Sequence, residues 1–321
     1  MKQQRRWSQV MAVLVAVGIL AGCAAPAAPS ANAELNGTIS ASGAFALYPL
    51  MVQWGEEFTK LHPGVKFDIS AGGAGKGMTD ALAGQVDIGM VSRAISTDEE
   101  KKGAYWASVV KDAVFPVVNA NNPVIKDLQS KGISHDIFVD IFITGKITTW
   151  GEVVGRPEIK DEIHVYTRSD SAGAADAWAK YLGKAQEDLK GIGVTGDPGI
   201  TDAVVKDPLG IGYNNLGYAY DATSGQPITG IAIPALDSNK NGQADASEVV
   251  DTKAKAIDAV ATGRYPSPPA RALNMVTKGK PSGLVQAFIL WTLTDGQKFV
   301  DSAGFIALPK AVLDEGIQKI K

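Results

Sequence analysis

Apolar positions along this chain recur in two alternating rhythms. GTISAS, from Gly37, alternates apolar and polar residues as a half-buried strand does, and Leu47, Leu50, Met51, Trp54, Phe58 and Leu61 then fall three or four apart, the spacing of one helix face. The strand pattern VKFDIS follows, then a helical pattern from Gly77, then VDIGMVS. The same order continues through DAVFPVVN, a helix around HDIFVDIF, the strand EIHVYTR and the helix AADAWAKYL. Near the end, LVQAFILWTL and QKFVDSA read as amphipathic helices, FIALP as a strand and KAVLDEGIQKIK as a closing helix. This alternation predicts an α/β fold of mainly parallel sheet covered by helices.

The first residues break the rhythm. MKQQRRW carries three positive charges and precedes the apolar run VMAVLVAVGIL and then Leu20, Ala21, Gly22 and Cys23, the layout of a secretory signal whose apolar part is short for a membrane span. Leu-Ala-Gly-Cys resembles the bacterial lipobox, so residues 1–22 are expected to be a lipoprotein signal peptide and Cys23 the lipidated first residue of an exported, membrane-anchored protein. The lipid would hold it to the outer face of the cell membrane or in the periplasm. Residues 23–36, AAPAAPSANAELN after the cysteine, have no apolar periodicity and read as a flexible tether.

Cys23 is the only cysteine, which leaves the folded part without disulfides or thiol chemistry. Its stability must come from an ordinary core, and a chain of this length commonly divides into two lobes. The net charge of −3 becomes more negative by three when Lys2, Arg5 and Arg6 leave with the signal. A mildly acidic surface argues against nucleic acid as a partner, and any bound anion must be held by a local site.

Three strand-to-helix junctions share one chemistry: SASGAFALYPL at Ser40, AGGAGKG at Ala71 and YTRSDSAGAADAW at Tyr166. Each places Gly, Ala and Ser where unpaired amide N–H groups open a helix and its dipole favours negative charge. A fourth, GMVSRAIST, adds Ser92 and Arg93. AGGAGKG is neither a nucleotide phosphate loop nor a dinucleotide fingerprint: Ser70 stands where the former needs glycine, Gly77 follows Lys76, and the glycines are spaced GxGxG. Any one such loop also reads as a tight turn. Arg168 beside amide donors is suited to an oxyanion; Asp170 reads either as the group that orients Arg168 or as a helix N-cap.

These segments resemble the phosphate-binding lipoproteins of bacterial ABC importers, within the two-lobed substrate-binding proteins. The matching stretches are ISASGAFALYPLMVQW, SAGGAGKGMTDALAGQVDIGMVSR, FITGKITTWGEV, VYTRSDSAGAADAWAKYL, GIGYNNLGYAYD, YPSPPARALNMVTKGKP and LTDGQKFVDSAGFIALP, in family order from Gly37 to Pro309. The resemblance implies a type II periplasmic binding protein fold: two Rossmann-like lobes, residues 37–115 with 272–321 and residues 116–271, joined by two crossover strands. They would close over a dehydrated oxyanion. It implies a site from Ser42, Ala44, Phe45, Ala74, Gly75, Ser92 and Arg93, with Arg168 as bidentate ligand and Asp170, Ala172, Gly173 and Ala174 at the third helix start. The family pattern there is Arg-x-Asp-x-Ser-Gly-Thr, and this chain replaces both hydroxyl residues by Ala172 and Ala174. A hydrogen bond to a charged group is worth roughly 1.5–3 kcal/mol, so two lost donors weaken binding by about 10² to 10⁴. The aspartate that some members carry at the third loop is also missing from Val91-Ser92-Arg93.

DSNKNGQADASE, Asp237 to Glu248, fits the twelve-residue calcium-loop spacing, with Asp237, Asn239, Asn241, Gln243, Asp245 and Glu248 as ligands and Gly242 at the sharp turn. The preceding TGIAIPAL reads as a strand, so the loop would lack an entering helix and gain only an exiting one from about Val249. It reads as one structural Ca²⁺ site or as a solvated Asn/Gly-rich turn. His62, His135 and His164 are scattered without zinc-ligand spacing, and no nucleophile motif occurs, so enzyme activity is not expected. Two functions follow: a monomeric lipid-anchored receptor delivering phosphate or a similar oxyanion to ABC permease subunits, or a binding protein of the same fold with a different anion and a regulatory or adhesive role.

Overall fold

Backbone pairing places nine of the eleven strands in one continuous sheet and the other two in a small separate one. The computed structural model describes residues 35–321; the expected signal peptide, the lipidation at Cys23 and tether residues 23–34 lie outside the described residues. The first half runs β1 (Asn36–Gly43), α1 (Tyr48–Leu61), β2 (Gly64–Ala71), α2 (Ala74–Ala83), β3 (Ile88–Val91), α3 (Thr97–Lys101) and the long β4 (Ala104–Asn119). Then come α4 (Ile125–Lys131), β5 (Ile133–Ser134), α5 (His135–Val139), α6 (Trp150–Val154), β6 (His164–Arg168), α7 (Gly173–Tyr181), β7 (Ile192–Val194), α8 (Gly196–Lys206), β8 (Gly210–Asn215) and α9 (Leu216–Ala219). The last part is β9 (Ile231–Ala232), β10 (Leu236–Asp237), α10 (Lys253–Ala261), β11 (Ala270–Lys278), α11 (Gly283–Leu293) and α12 (Lys310–Ile320).

The strand order is β2-β1-β3-β11-β4-β8-β6-β7. Pairs β1–β2, β1–β3, β6–β7 and β6–β8 are parallel, whereas β11 and β4, which cross between the two halves, pair antiparallel with each other and with their neighbours. Two hydrophobic cores flank this seam. One gathers Trp54, Phe58, Met90, Val110, Leu273 and Phe288; the other gathers Ala113, Phe115, Trp178, Tyr213, Ala270 and Ile306. Each crossing strand therefore changes core partway along, between Val110 and Ala113 on β4 and between Ala270 and Leu273 on β11.

Local chemistry explains the elements. Pro49 opens α1, where a missing N–H costs nothing, and Leu50, Met51, Trp54 and Phe58 form its buried stripe. Phe58 meets Phe288 edge-on at 5.2 Å, and Trp54 Nε1 donates to Gly296 O at 2.8 Å. In the second lobe Trp178 of α7 stacks on Tyr213 of β8 with ring centroids 5.8 Å apart. FIALP does not extend into a strand: only Ile306 pairs, in an isolated bridge with Lys111. QKFVDSA gives a 3₁₀ turn at Asp295–Phe299, and the helix expected from Val249 begins at Lys253, where Thr252 caps it. No helix among the described residues is long and apolar enough to cross a membrane.

The glycines of AGGAGKG and its neighbours serve close packing. A Cβ on Gly77 would lie 2.5 Å from Met90 O and 2.8 Å from Ser42 O, and one on Gly89 would lie 2.3 Å from Gly77 O. Helix α2 thus rests directly on the backbones of β1 and β3. Overpacking of this kind costs roughly 1–3 kcal/mol, so Gly77→Ala is expected to lower the urea-unfolding free energy by about that amount. A change within experimental error in that measurement would show that α2 has room to lift.

Candidate functional site

The two lobes touch along the small-residue junctions. Gly75 N donates to Ser171 O at 3.0 Å, from α2 of one lobe to the loop before α7 of the other. A Cβ on Gly173 would lie 2.1 Å from Ser92 Oγ, and one on Gly196 would lie 2.9 Å from the Phe45 ring. Behind these contacts lies a narrow cavity, too tight for a water-sized sphere, lined by Ala44, Phe45, Ala46, Gly73, Ala74, Ser92, Arg168, Ala172, Gly173, Ala174, Asp197 and Asn215.

Arg168 ends β6 and projects into this cavity with 2% of its side chain exposed. Asp170 takes its Nε at 2.8 Å and its Nη2 at 2.5 Å, and Asp197 takes its Nη1 at 2.8 Å. The guanidinium has five N–H donors, so one on each terminal nitrogen remains. The ring of Phe45 covers it, 5.4 Å from the guanidinium carbon. Gly196 N donates to Asp170 Oδ1 at 3.1 Å, and Gln186 clamps the loop by donating to Asp170 O and accepting from Ala172 N. Burial pushes the Asp170 carboxyl up, but the hydrogen bonds and charge of Arg168 outweigh it and hold the group below its ordinary value.

Several expected site residues are placed otherwise. Ala44 lines the cavity, but its N–H donates to Met90 O at 2.8 Å; the N–H of Gly75 is taken by Ser171, and that of Ala172 by Gln186. Ser42 is not on the lining: its Oγ donates to Asp80 Oδ2 at 2.6 Å, under α2. Arg93 is also turned away, because Glu99 accepts from both of its terminal nitrogens, at 3.0 and 2.7 Å. Lys76 pairs with Asp80 on the surface of α2. What faces the cavity with a spare donor is the backbone of Phe45, Ala74, Gly173 and Ala174, whose N–H groups have no partner among the described residues. The Ser92 hydroxyl joins them on the lining.

Ala46, Gly73, Asp197 and Asn215 are lining residues absent from the sequence expectations, the last two polar. Asp197 stands in the first turn of α8, 1% exposed, and accepts Arg168 on Oδ1 and Asn215 Nδ2 on Oδ2, the latter at 2.9 Å. The signal was present as a further small-residue junction, Gly196-Asp197-Pro198-Gly199, at the end of β7. Asn215 continues the chain of contacts to Arg271 of β11, which also donates through Nε to Ser92 O at 3.2 Å. Arg271 Nη1 lies 3.1 Å from Asp112 Oδ2 of β4, close enough for charge pairing but off the line of a hydrogen bond. One guanidinium therefore ties both crossing strands to both lobes.

In Asp237–Glu248 the loop winds around its own side chains. Asp237 accepts from Asn241 N and Gly242 N, Glu248 accepts from Ser238 N and Asp245 N, and Asn239 Nδ2 donates to Asp245. No group of three or more His, Cys, Asp or Glu side chains is gathered so as to hold a metal among the described residues. The expected ligand oxygens are thus engaged by local donors. None of the three histidines lines the cavity; His135 contacts Asp136 and Tyr181, and His164 pairs with Asp207.

Residues 28–296 match the PBP superfamily domain. The chain belongs to the PBP superfamily. Among PBP relatives, it is 28% identical to the phosphate-binding protein PstS of Bacillus subtilis over 80% of this chain and 75% of that one. It is 26% identical to PstS of Methanocaldococcus jannaschii over 97% and 93%. Of solved structures, a putative phosphate ABC transporter substrate-binding protein with bound phosphate from Clostridium perfringens superposes with a TM-score of 0.68 at 25% identity, covering 85% of this chain and 100% of that one. A phosphate transport receptor from Vibrio cholerae, at 19% identity and a TM-score of 0.61, shares the PBP fold.

Burial raises the Asp197 carboxyl to about 6, against the lowering influence of Arg168 and Asn215. A folded value above the ordinary 3.8 means that the native state holds this proton more tightly than the unfolded chain does. The associated stability is present below 3.8 and is lost as pH rises through about 6. Between about pH 4 and about pH 7.5 the wild type is expected to lose ~2–3 kcal/mol relative to Asp197→Asn. Urea unfolding of both proteins at the two pH values checks this; parallel profiles would contradict it.

Proposed function

We propose that this protein is an exported solute-binding protein that closes on phosphate or a similar tetrahedral oxyanion and delivers it to an ABC importer. The observation that carries the reading is a guanidinium with two spare N–H groups in the narrow space between the lobes, facing unpaired backbone amides from both of them. The named activities of the similar Bacillus subtilis and Clostridium perfringens proteins support the choice of phosphate. Capture follows from geometry: an anion entering the open cleft meets Phe45 and Ala74 on one side and Arg168, Gly173 and Ala174 on the other, so its charge favours the state in which the lobes meet. The chain acts as a carrier without catalysis, as a monomer anchored through lipid on Cys23, with permease subunits as its protein partners.

Isothermal titration of the tetherless protein with inorganic phosphate tests this. Arg168→Lys keeps the charge and loses the planar fork, and is expected to weaken binding about tenfold to a hundredfold. Lys76→Ala, on the outer face of α2, is expected to leave it unchanged. Absence of phosphate binding by the wild type would overturn the reading.

The loop Asp237–Glu248 we propose as a structural calcium site remote from the cavity, supported by its ligand spacing alone. Calcium would have to compete with the local N–H donors for these oxygens, so the effect falls on stability and not on anion binding. Scanning calorimetry in calcium against chelator is expected to show a melting temperature higher by a few degrees with calcium. Superimposable melting curves would assign the loop to its own turns.

A further inference from the structure

GIGYNN ends β8 with two buried asparagines that are used differently. Asn214 commits its whole amide to the fold: Nδ2 donates to Asp197 O and to Thr201 Oγ1, both at 2.9 Å, and Oδ1 accepts from Asn215 N at 3.0 Å. Asn215 is on the cavity lining and holds the N-cap position of α9, yet its side chain makes no cap bond. Its Oδ1 accepts from Arg271 Nη2, and its Nδ2 donates to Asp197 Oδ2 at 2.9 Å. A guanidinium only donates and an ionised carboxylate only accepts, so these two neighbours fix which end of the amide is oxygen and which is nitrogen. An amide nitrogen carries two N–H groups. The second one on Asn215 has no partner among the described residues.

We infer that Asn215 is a direct ligand of the bound oxyanion, supplying from β8 a side-chain donor where Ala172 and Ala174 supply none. This deepens the oxyanion-carrier reading and rests on it. A buried N–H without an acceptor is costly to a fold, and the wall around Asn215 does little to relieve it. Ala44, Ala46, Ala74, Ala172 and Ala174 have no side-chain acceptor, and both oxygens of Asp197 are already engaged, one by Arg168 and one by Asn215 itself. An oxygen of the anion is the acceptor that completes the group. The grip of Arg271 on Oδ1 matters for the same reason: an amide free to turn would present its oxygen to the anion, and this one is held with its nitrogen end on the lining.

The test is calorimetric titration with inorganic phosphate at about pH 8, where Asp197 is ionised, of wild type, Asn215→Ala and Asn215→Asp, with urea unfolding to confirm that each variant is folded. Asn215→Ala removes one hydrogen bond to a charged group and is expected to weaken binding about tenfold to a hundredfold. Asn215→Asp keeps the shape and turns the donor into an acceptor, so it is expected to weaken binding more than alanine does. A readout that a merely structural role would not move is the side-chain amide of Asn215 itself, followed by NMR in isotope-labelled wild type and assigned from its own backbone. Saturating phosphate is expected to move one Nδ2 proton downfield while the proton held by Asp197 stays near its place. Folded Asn215→Ala that binds phosphate as tightly as wild type overturns the inference and leaves the carrier reading standing. Nδ2 protons that both keep their positions in phosphate-saturated wild type overturn it equally, whether or not the variants fold, and wild type that binds no phosphate overturns both.

Discussion

A guanidinium that is 2% exposed has to be neutralised and hydrogen-bonded on every side that lacks water, and the architecture around Arg168 follows from that demand. Asp170 satisfies two of its nitrogens from the same loop, Asp197 the third from α8, and Phe45 covers its face from the opposite lobe. Phe45 and Arg168 belong to different lobes, so this part of the burial spans the seam between them. Removing one partner of such a buried pair costs about 3–5 kcal/mol, which makes Arg168 a structural commitment of the fold. Its two spare N–H groups are the fraction of that guanidinium not spent on its carboxylate partners.

Closure in turn depends on how little side chain stands between the lobes. Gly173 lies against Ser92, Gly75 against Ser171, and Gly196 against the Phe45 ring, each at a separation that a Cβ would violate. Ala172 and Ala174 fit the same constraint on the wall behind them. With alanine at both positions, the donors on this lining are backbone amides together with the side chains of Arg168, Ser92 and Asn215. Backbone donors are fixed by the fold and cannot rotate as a hydroxyl can.

Much of the architecture could be read from periodicity. The strand-helix alternation gave the α/β order, and the two-residue spacing of Arg168 and Asp170 placed a carboxylate where it meets the guanidinium. What periodicity hides is partnership across the chain. Arg93 looked available because Glu99, six residues on, gave no sign of taking both its terminal nitrogens. AGGAGKG looked like an anion loop, whereas Gly77 serves the contact of α2 with Met90, and Gly75 reaches Ser171 of the other lobe. Asp197 went unnoticed because a single aspartate after Gly196 reads as a helix start, and only the parallel pairing of β6 with β7 brings it beside Arg168. FIALP fell short of a strand because a single bridge, to Lys111, is all the pairing it makes.

The line of polar groups does not stop at the cavity. From Asp170 it runs through Arg168, Asp197 and Asn215 to Arg271 and Asp112, on the two strands that cross between the cores. Arg271 also donates to Ser92 O, on the first-lobe wall of the cavity, while Asn215 stands on the second. Opening the cleft would move these two acceptors apart, and a rigid fork cannot follow both. Arg271 must then release one of them, and Asp112, buried beside it and held above the ordinary carboxylate range by that burial despite Arg271, shares in the cost. The crossing strands and the cavity wall are thereby joined by one line of polar contacts, with Asp197 near its middle.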